Sequence, residues 1–540
     1  MKNTFFTFKN TAVSILKILF IFILNISILY SEEFPVFGAK PLGLAGAYTA
    51  ISDDTLATNW NPAGLYSTKS SFNVFFPLGL KLEFTGTFLQ QANDIGQLAD
   101  KYNKIEQKQK TGQSIDISEL GVFATAIKNI NELGKEDNGL LVNFGGGSCV
   151  KIGKFAISVN NYSYAALKPY TEFDFWLGSY TVTGITKLSN SKILQSENLY
   201  AGISISTVGV NSDDLNNQEL KQIRDSLKTE LDSWLLQTLS NAGVEIPSGI
   251  TSSQIANVLI NLADSNKVSK QEMENAVNTL SENKELIQMV LNNPLSIKNP
   301  FTDNNSNITF KGINITEITG SYSFNILKDL YLGINLKALI GKVGYYKQNI
   351  FESETKLEDI TKNLDKYTKQ SYQPAIDIGL MFDKISDFNT KFGLVIKNIN
   401  RPKFELPEEA KKYNESDIYL DPQARLGIAC FPFNWCSVSF DIDLTENKTF
   451  ISGYKSKYFG LGSEINIINK TWLNIPLRIG IMKNLANSNS QNIYTYGIGF
   501  NLFHIVADIS GAVSSKKVNI NSTDSIPENA SIQLNFGLSF

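Results

Sequence analysis

The last ten residues, Ser531-Ile532-Gln533-Leu534-Asn535-Phe536-Gly537-Leu538-Ser539-Phe540, carry a large apolar side chain at every even position and a small or polar one at every odd position. The chain ends on Phe540 itself. Side chains alternate between two faces only in a β-strand, so this segment reads as a strand with one apolar and one polar face. The pattern recurs. Val438, Phe440, Ile442 and Leu444 alternate with Ser437, Ser439, Asp441 and Asp443. Leu332, Ile334, Leu336, Ala338 and Ile340 alternate with Gly333, Asn335 and Lys337. Segments 473–481 and 494–501 repeat it with Arg478, Gly480, Gly497 and Gly499 on the polar face.

A soluble sandwich would turn the apolar face to a core, and a membrane barrel would turn it to lipid and its polar face to a lumen. Segments of about ten residues match a tilted membrane strand. Connections also alternate between very short (Gly153-Lys154, Leu327 to Asp329, Phe431 to Trp435, Leu502 to Ile505) and long (346–370, 400–420, 514–530), as in outer-membrane barrels. The expected fold is an all-β transmembrane barrel of about fourteen antiparallel strands. The short turns should face the periplasm.

Composition narrows the class further. Charged residues are 19% and aromatics 11%, with 37 glycines among 540 residues. A mean hydropathy of −0.10 excludes a bundle of apolar spanning helices. The net charge of −3 excludes a surface built mainly to neutralise phosphate backbones, so no nucleic-acid partner is expected. The only long apolar run, Ala12 to Tyr30, follows Lys2 and Lys9 and precedes Ser31, which is the layout of a secretory signal peptide. An uncleaved anchor is the alternative, since the run is nearly long enough to span. The expected organisation is a signal peptide at 1–31, an N-terminal plug at 32–71 and an outer-membrane barrel at 72–540, bounded by outer-membrane lipid.

Two stretches break the alternation, giving helical insertions at 88–135 and 213–293. Leu220, Ile223, Leu227, Leu231, Trp234, Leu235 and Leu239 form a stripe down one helix. It reads as a self-packed bundle or as a groove for a partner protein.

Chemistry-bearing motifs are sparse. Asp264-Ser265-Asn266 ahead of Glu272 has the outline of a calcium loop, but Val268, Ser269 and Asn275 replace required ligands, so helix capping explains it. Gly145-Gly146-Gly147 opens a strand, not a helix, and is no phosphate cradle. His504 sits in a tight turn. Cys430 and Cys436 lack redox spacing and are either bonded across a turn or reduced and lipid-facing. No catalytic residue, metal site or cofactor is expected, and the chain reads as no enzyme.

The segment Gly38-Ala-Lys-Pro-Leu-Gly-Leu-Ala-Gly-Ala-Tyr-Thr-Ala50, continuing through Asp53-Asp54 to Asn59-Trp-Asn-Pro-Ala-Gly-Leu65, is dominated by small residues. Such a chain packs closely but needs a surrounding wall. It is expected to thread the lumen from 34 to 65, with Gly43, Gly46, Asp53, Asp54, Asn59, Asn61 and Pro62 as plug and latch residues. The barrel's polar faces put Lys337, Asp377, Lys397, Arg425, Asp441, Asp443, Glu464, Arg478 and Asp508 in the lumen, where opposite charges should pair. Arg425 and Arg478 are expected to find carboxylates among Asp377, Asp441, Asp443 and Glu464.

This N-terminal segment resembles the start of barrels related to the long-chain fatty-acid transporter, a superfamily that includes secretion-linked barrels of the PorV type. The stretch from Arg425 to Ala429, through Lys483-Asn484-Leu485-Ala486, to Ser510–Ser515 resembles the TraF-like outer-membrane family of conjugal-transfer proteins. The resemblance leaves 213–293 uncovered. It implies a plugged channel for hydrophobic or small molecules. The alternative is a structural or docking component of a conjugal-transfer or secretion apparatus, acting through 213–293.

Overall fold

The computed structural model describes residues 33, 35–67, 70–89, 135–170, 218–235, 307–349, 364–383, 389–520 and 524–540, with single positions at 237, 252, 256, 278 and 281. The expected signal peptide, and most of the two expected insertions, lie outside the described residues.

Among the described residues, fourteen antiparallel strands close into one barrel. The first seven are β1 (Phe72–Thr85), β2 (Gly139–Ile152), β3 (Phe155–Tyr170), β4 (Asn307–Leu327), β5 (Leu330–Asn349), β6 (Thr368–Phe382) and β7 (Lys391–Lys397). They are followed by β8 (Gln423–Phe433), β9 (Cys436–Asp443), β10 (Tyr458–Asn469), β11 (Leu473–Asn484), β12 (Ile493–Leu502), β13 (Ile505–Ser514) and β14 (Asn529–Ser539). Closure comes from β1 against β14, in a register that sets Phe76 beside Phe536 and Leu80 beside Ile532. A closed sheet leaves no unpaired edge.

The alternation decides which face is which. Phe76, Leu78, Leu80, Ile532, Leu534, Phe536 and Leu538 point outward and are 37–56% exposed, whereas Gln533 and Asn535 point inward and are 5% and 3% exposed. An apolar band running round a closed barrel is the surface that lipid covers. Backbone hydrogen bonds tie the short turns to their neighbours at one end: Gly153 N–H to Ser71 O, Ser323 to Lys154, Asp383 to Asp329, Phe503 to Trp472 and Ser539 to His504. Phe540 lies at this end, and the His504 ring stacks on its ring at 4.4 Å. The long connections all leave from the other end.

One feature of the interior was not readable from period two. The 402–421 connection folds inward, burying Phe404, Leu406, Ala410, Ile418 and Leu420 against Ile313, Ile315, Leu339, Val343 and Tyr345 of β4 and β5. Those strands therefore change from a polar to an apolar inner face near the long-loop end. Cys430 pairs in register with Val438, and Cys436 with Phe433, so the two cysteines are offset and no disulfide joins them. In the second insertion, a helix over Gln218–Glu230 runs into one wide turn, Leu231–Leu235. Its stripe residues Ile223, Leu227, Leu231 and Trp234 are buried.

Candidate functional site

Residues 35–67 lie inside the barrel as a chain of short turns. A one-turn helix, Ala39–Gly43, follows Gly38, whose φ of 100° suits a residue without Cβ. The backbone then reverses through Ala45 (φ 56°) and Gly46 (φ 73°). A 3-10 turn over Thr55–Thr58 is capped by Asp54, whose carboxylate accepts from Leu56 N–H at 2.8 Å. A second, Pro62–Tyr66, is capped by the Asn61 side chain, which accepts from Ala63 N–H at 3.1 Å. Pro62 falls at the first helical position, where its missing N–H costs nothing.

These turns share a small core. Trp60 is fully buried, donates from Nε1 to Phe37 O at 2.9 Å and meets Tyr48 edge-to-face at 5.7 Å. The Tyr48 hydroxyl donates to Asp54 at 2.7 Å. Burial pushes the Asp54 carboxyl up to about 6, against the pull of Lys40. The Arg425 guanidinium lies 5.5 Å from the Trp60 ring centroid.

A track of inward-facing glycines lets the segment's backbone rest directly on the wall. A Cβ on Gly333 would collide with Pro62 and Ala63, and one on Gly379 with Asn61 and Pro62. At Gly393 and Gly427 it would meet Thr49 and Ala50, at Gly460 and Gly480 Ala45, and at Gly462 Leu44. These glycines run from β5 to β11, so most of one side of the barrel has been kept bare for the segment.

Polar side chains between the glycines hold it there. One Asp441 oxygen accepts from both Tyr48 N–H (3.1 Å) and Thr49 N–H (2.9 Å). Asn335 donates to Thr58 O at 2.8 Å, Ser323 to Ala63 O at 3.0 Å and Thr495 to Gly43 O at 3.2 Å. Asn61 Nδ2 donates to Thr49 O (3.0 Å) and to Leu380 O of β6 (3.1 Å), and Asn59 donates to the Tyr162 hydroxyl. Gln533 accepts from Gly38 N–H and donates to Val36 O.

The named charges all fall on the inner face. Arg425 pairs with Asp443 at 2.6 Å, and Arg478 with Glu464 (2.7 Å) and Asp508 (2.6 Å). Lys337 bridges Asp377 (2.6 Å) and Glu317 (3.0 Å). Lys397 is buried. Asp443 and Asp377 also accept from the backbone N–H groups of Tyr458 and Asn398, whereas Asp441 holds those of the segment. Asp53 faces Lys40 at 2.9 Å at the segment's exposed side. Residues that the period-two reading left out include Glu317 and the β1 pair Lys81–Glu83 (2.9 Å), where Lys81 also meets Glu33 at 2.5 Å. For Lys81 and Glu83 the signal was present, since they alternate with Leu80, Leu82 and Phe84; Glu317 is in phase with Ile313 and Ile315, so alternation alone hid it.

Among the described residues no group of three or more His, Cys, Asp or Glu is disposed around a common metal position. Buried Cys149 lies 4.0 Å from the Thr58 hydroxyl and 3.7 Å from Asn160.

The family model described as "F plasmid transfer operon, TraF, protein" matches residues 59–443. The chain belongs to this TraF family. The match starts at Asn59, two residues ahead of Asn61-Pro62-Ala63-Gly64-Leu65, and runs through 213–293, which the resemblance had left uncovered. It stops at Asp443, so the stretches at 483–486 and 510–515 lie beyond it. No curated protein matches the chain. Among solved structures, the Ralstonia pickettii toluene transporter TbuX is 10% identical with a TM-score of 0.40, over 94% of this chain and 100% of that one. The CymD monoaromatic hydrocarbon channel is 10% identical (TM-score 0.39; 94% and 98%), and so is a Pseudomonas aeruginosa FadL homologue (TM-score 0.39; 94% and 98%).

Proposed function

We propose that this TraF-family barrel lies in the outer membrane and is a channel for hydrophobic or other small molecules, closed by its own N-terminal segment. The observation that carries the reading is the glycine track with the segment seated on it. Alongside Glu33 and residues 35–42, where the segment faces Gly79, Lys81, Asn143 and Gln533 instead of the track, a cavity of ≈50 Å³ remains. A water needs about 10–15 Å³, so this space holds a few waters and no substrate. Passage therefore requires the segment to move, and on the side away from the glycine track it must leave Gln533 and Lys81. Asn61-Pro62 acts as the latch, since Asn61 ties the turn at Thr49 to the β6 backbone. On this reading the protein transports and catalyses nothing.

The second reading, a docking component of a transfer or secretion apparatus, draws support from the family's description. Against it as an open groove stands the 218–235 helix, whose stripe residues Ile223, Leu227, Leu231 and Trp234 are already buried.

Swelling of proteoliposomes and partner pull-down separate the two. On the channel reading, deleting 43–65 speeds entry of small solutes and leaves the barrel folded, while deleting 213–293 changes no flux. Loss of partner assembly with the second deletion, and no change of flux with the first, would select the docking reading.

A further inference from the structure

A second and larger cavity, of ≈780 Å³, opens among the long-loop ends of β3, β4 and β5, the 401–421 connection and the 448–455 ribbon. Small-molecule sites span about 300–1,000 Å³, so this one has room for a whole ligand. Its wall charge is lopsided. Six lysine or arginine side chains line it against three carboxylates, in a chain whose net charge is −3.

The three carboxylates are already engaged. Glu415 pairs with Lys311 at 2.9 Å, Asp417 with Lys403 at 2.8 Å, and Asp421 with Arg401. Two lysines are not matched in this way. Lys168 meets the Ser452 hydroxyl, and Lys347 sits 4.1 Å from the centroid of the Tyr413 ring. Neither has a carboxylate within 4.0 Å among the described residues. Both are half-buried, so each ammonium is held at the wall instead of ranging through solvent.

Tyr170, Tyr345, Tyr413, Tyr419 and Tyr454 share that wall. Flat faces offer stacking, and lysines act as compact charges that take carboxylate or phosphate. Tyr454 donates to Glu83 at 2.6 Å, which anchors its ring. We propose that this cavity binds a small organic anion in which an aromatic ring carries carboxylate or phosphate groups, the charge meeting Lys168 and Lys347 and the ring meeting Tyr413. Because binding is measured at equilibrium, the proposal stands or falls separately from whether the barrel conducts.

Calorimetric titration of the full chain in detergent at low salt tests it, with phthalate and phenyl phosphate as probes. Dimethyl phthalate supplies the same ring without charge, and inorganic phosphate supplies charge without the ring. The expected result is that both ring-bearing anions bind and that Lys168→Gln with Lys347→Gln weakens them at least tenfold. Tyr413→Leu weakens them several-fold, and raised salt weakens them further. A heat-dependent gel shift, retained by every variant, keeps loss of folding apart from loss of binding. Phthalate and phenyl phosphate binding that is absent in the wild type, or equal in wild type and lysine variant, overturns the proposal. So does inorganic phosphate binding as tightly as phenyl phosphate.

Discussion

Replacing Asp441 is the sharpest perturbation of the segment's seat. One carboxylate oxygen serves two backbone donors, Tyr48 N–H at 3.1 Å and Thr49 N–H at 2.9 Å, all buried. Hydrogen bonds to a charged group contribute about 1.5–3 kcal/mol each, and a buried donor left without a partner loses a comparable amount. Two such bonds put Asp441→Ala at about 3–5 kcal/mol, with the sum trimmed because one oxygen serves both donors. The barrel is held by its own ladders, so the cost appears as local release of 44–51, not as global unfolding. At about 1.4 kcal/mol per tenfold, that release becomes at least a hundredfold more frequent. Hydrogen exchange resolved to the Tyr48 and Thr49 amides reads it directly. Asp441→Asn keeps the shape and one acceptor, and should give an intermediate rate. Unchanged exchange at both amides in Asp441→Ala would refute the anchoring argument, as would collapse of the whole barrel.

Three further outcomes follow from the same geometry. Gly427→Val and Gly393→Val, whose new side chains meet Thr49 and Ala50, should raise solute flux and keep the gel shift, while Gly511→Ala, with only Ser531 O at 3.7 Å nearby, should change neither. Arg478→Met strands Glu464 and Asp508 in the lumen and should cost about 3–5 kcal/mol, read as a lower urea midpoint. Asp54 has its carboxyl raised to about 6, so the folded state holds its proton more tightly than the unfolded chain. Stability from this group is full below the unfolded value and is lost as pH rises toward about 6. Asp54→Asn keeps the cap and should remove that slope from urea midpoints taken between pH 4 and pH 7.

Period two carried the fold because lipid and lumen impose opposite demands on alternate residues, and Ile532 to Phe540 obeys them at every step. The alternation faded where a third environment intruded. Leu339, Val343 and Tyr345 face inward and are apolar because the 402–421 connection covers them, a contact between segments far apart in sequence. The lumen charges were legible as a set, since each sits in phase with its strand's polar face. Their partners were not, because pairing depends on register and shear between strands: Lys337 takes Glu317 from β4, and Asp441 serves the N-terminal segment. Glycines such as Gly427 and Gly462 stood in the polar phase. The seated backbone of Leu44 to Ala50, joined at Gly427 by the Asp441 carboxylate, explains why no side chain is tolerated there.

The most direct measurement of the central claim is ion conductance in planar bilayers, full chain against a 43–65 deletion, with the gel shift confirming that both barrels are folded. The full chain should stay closed and the deletion should conduct steadily, because nothing else among the described residues occupies the glycine track. Equal conductance, open or closed in both, would contradict it.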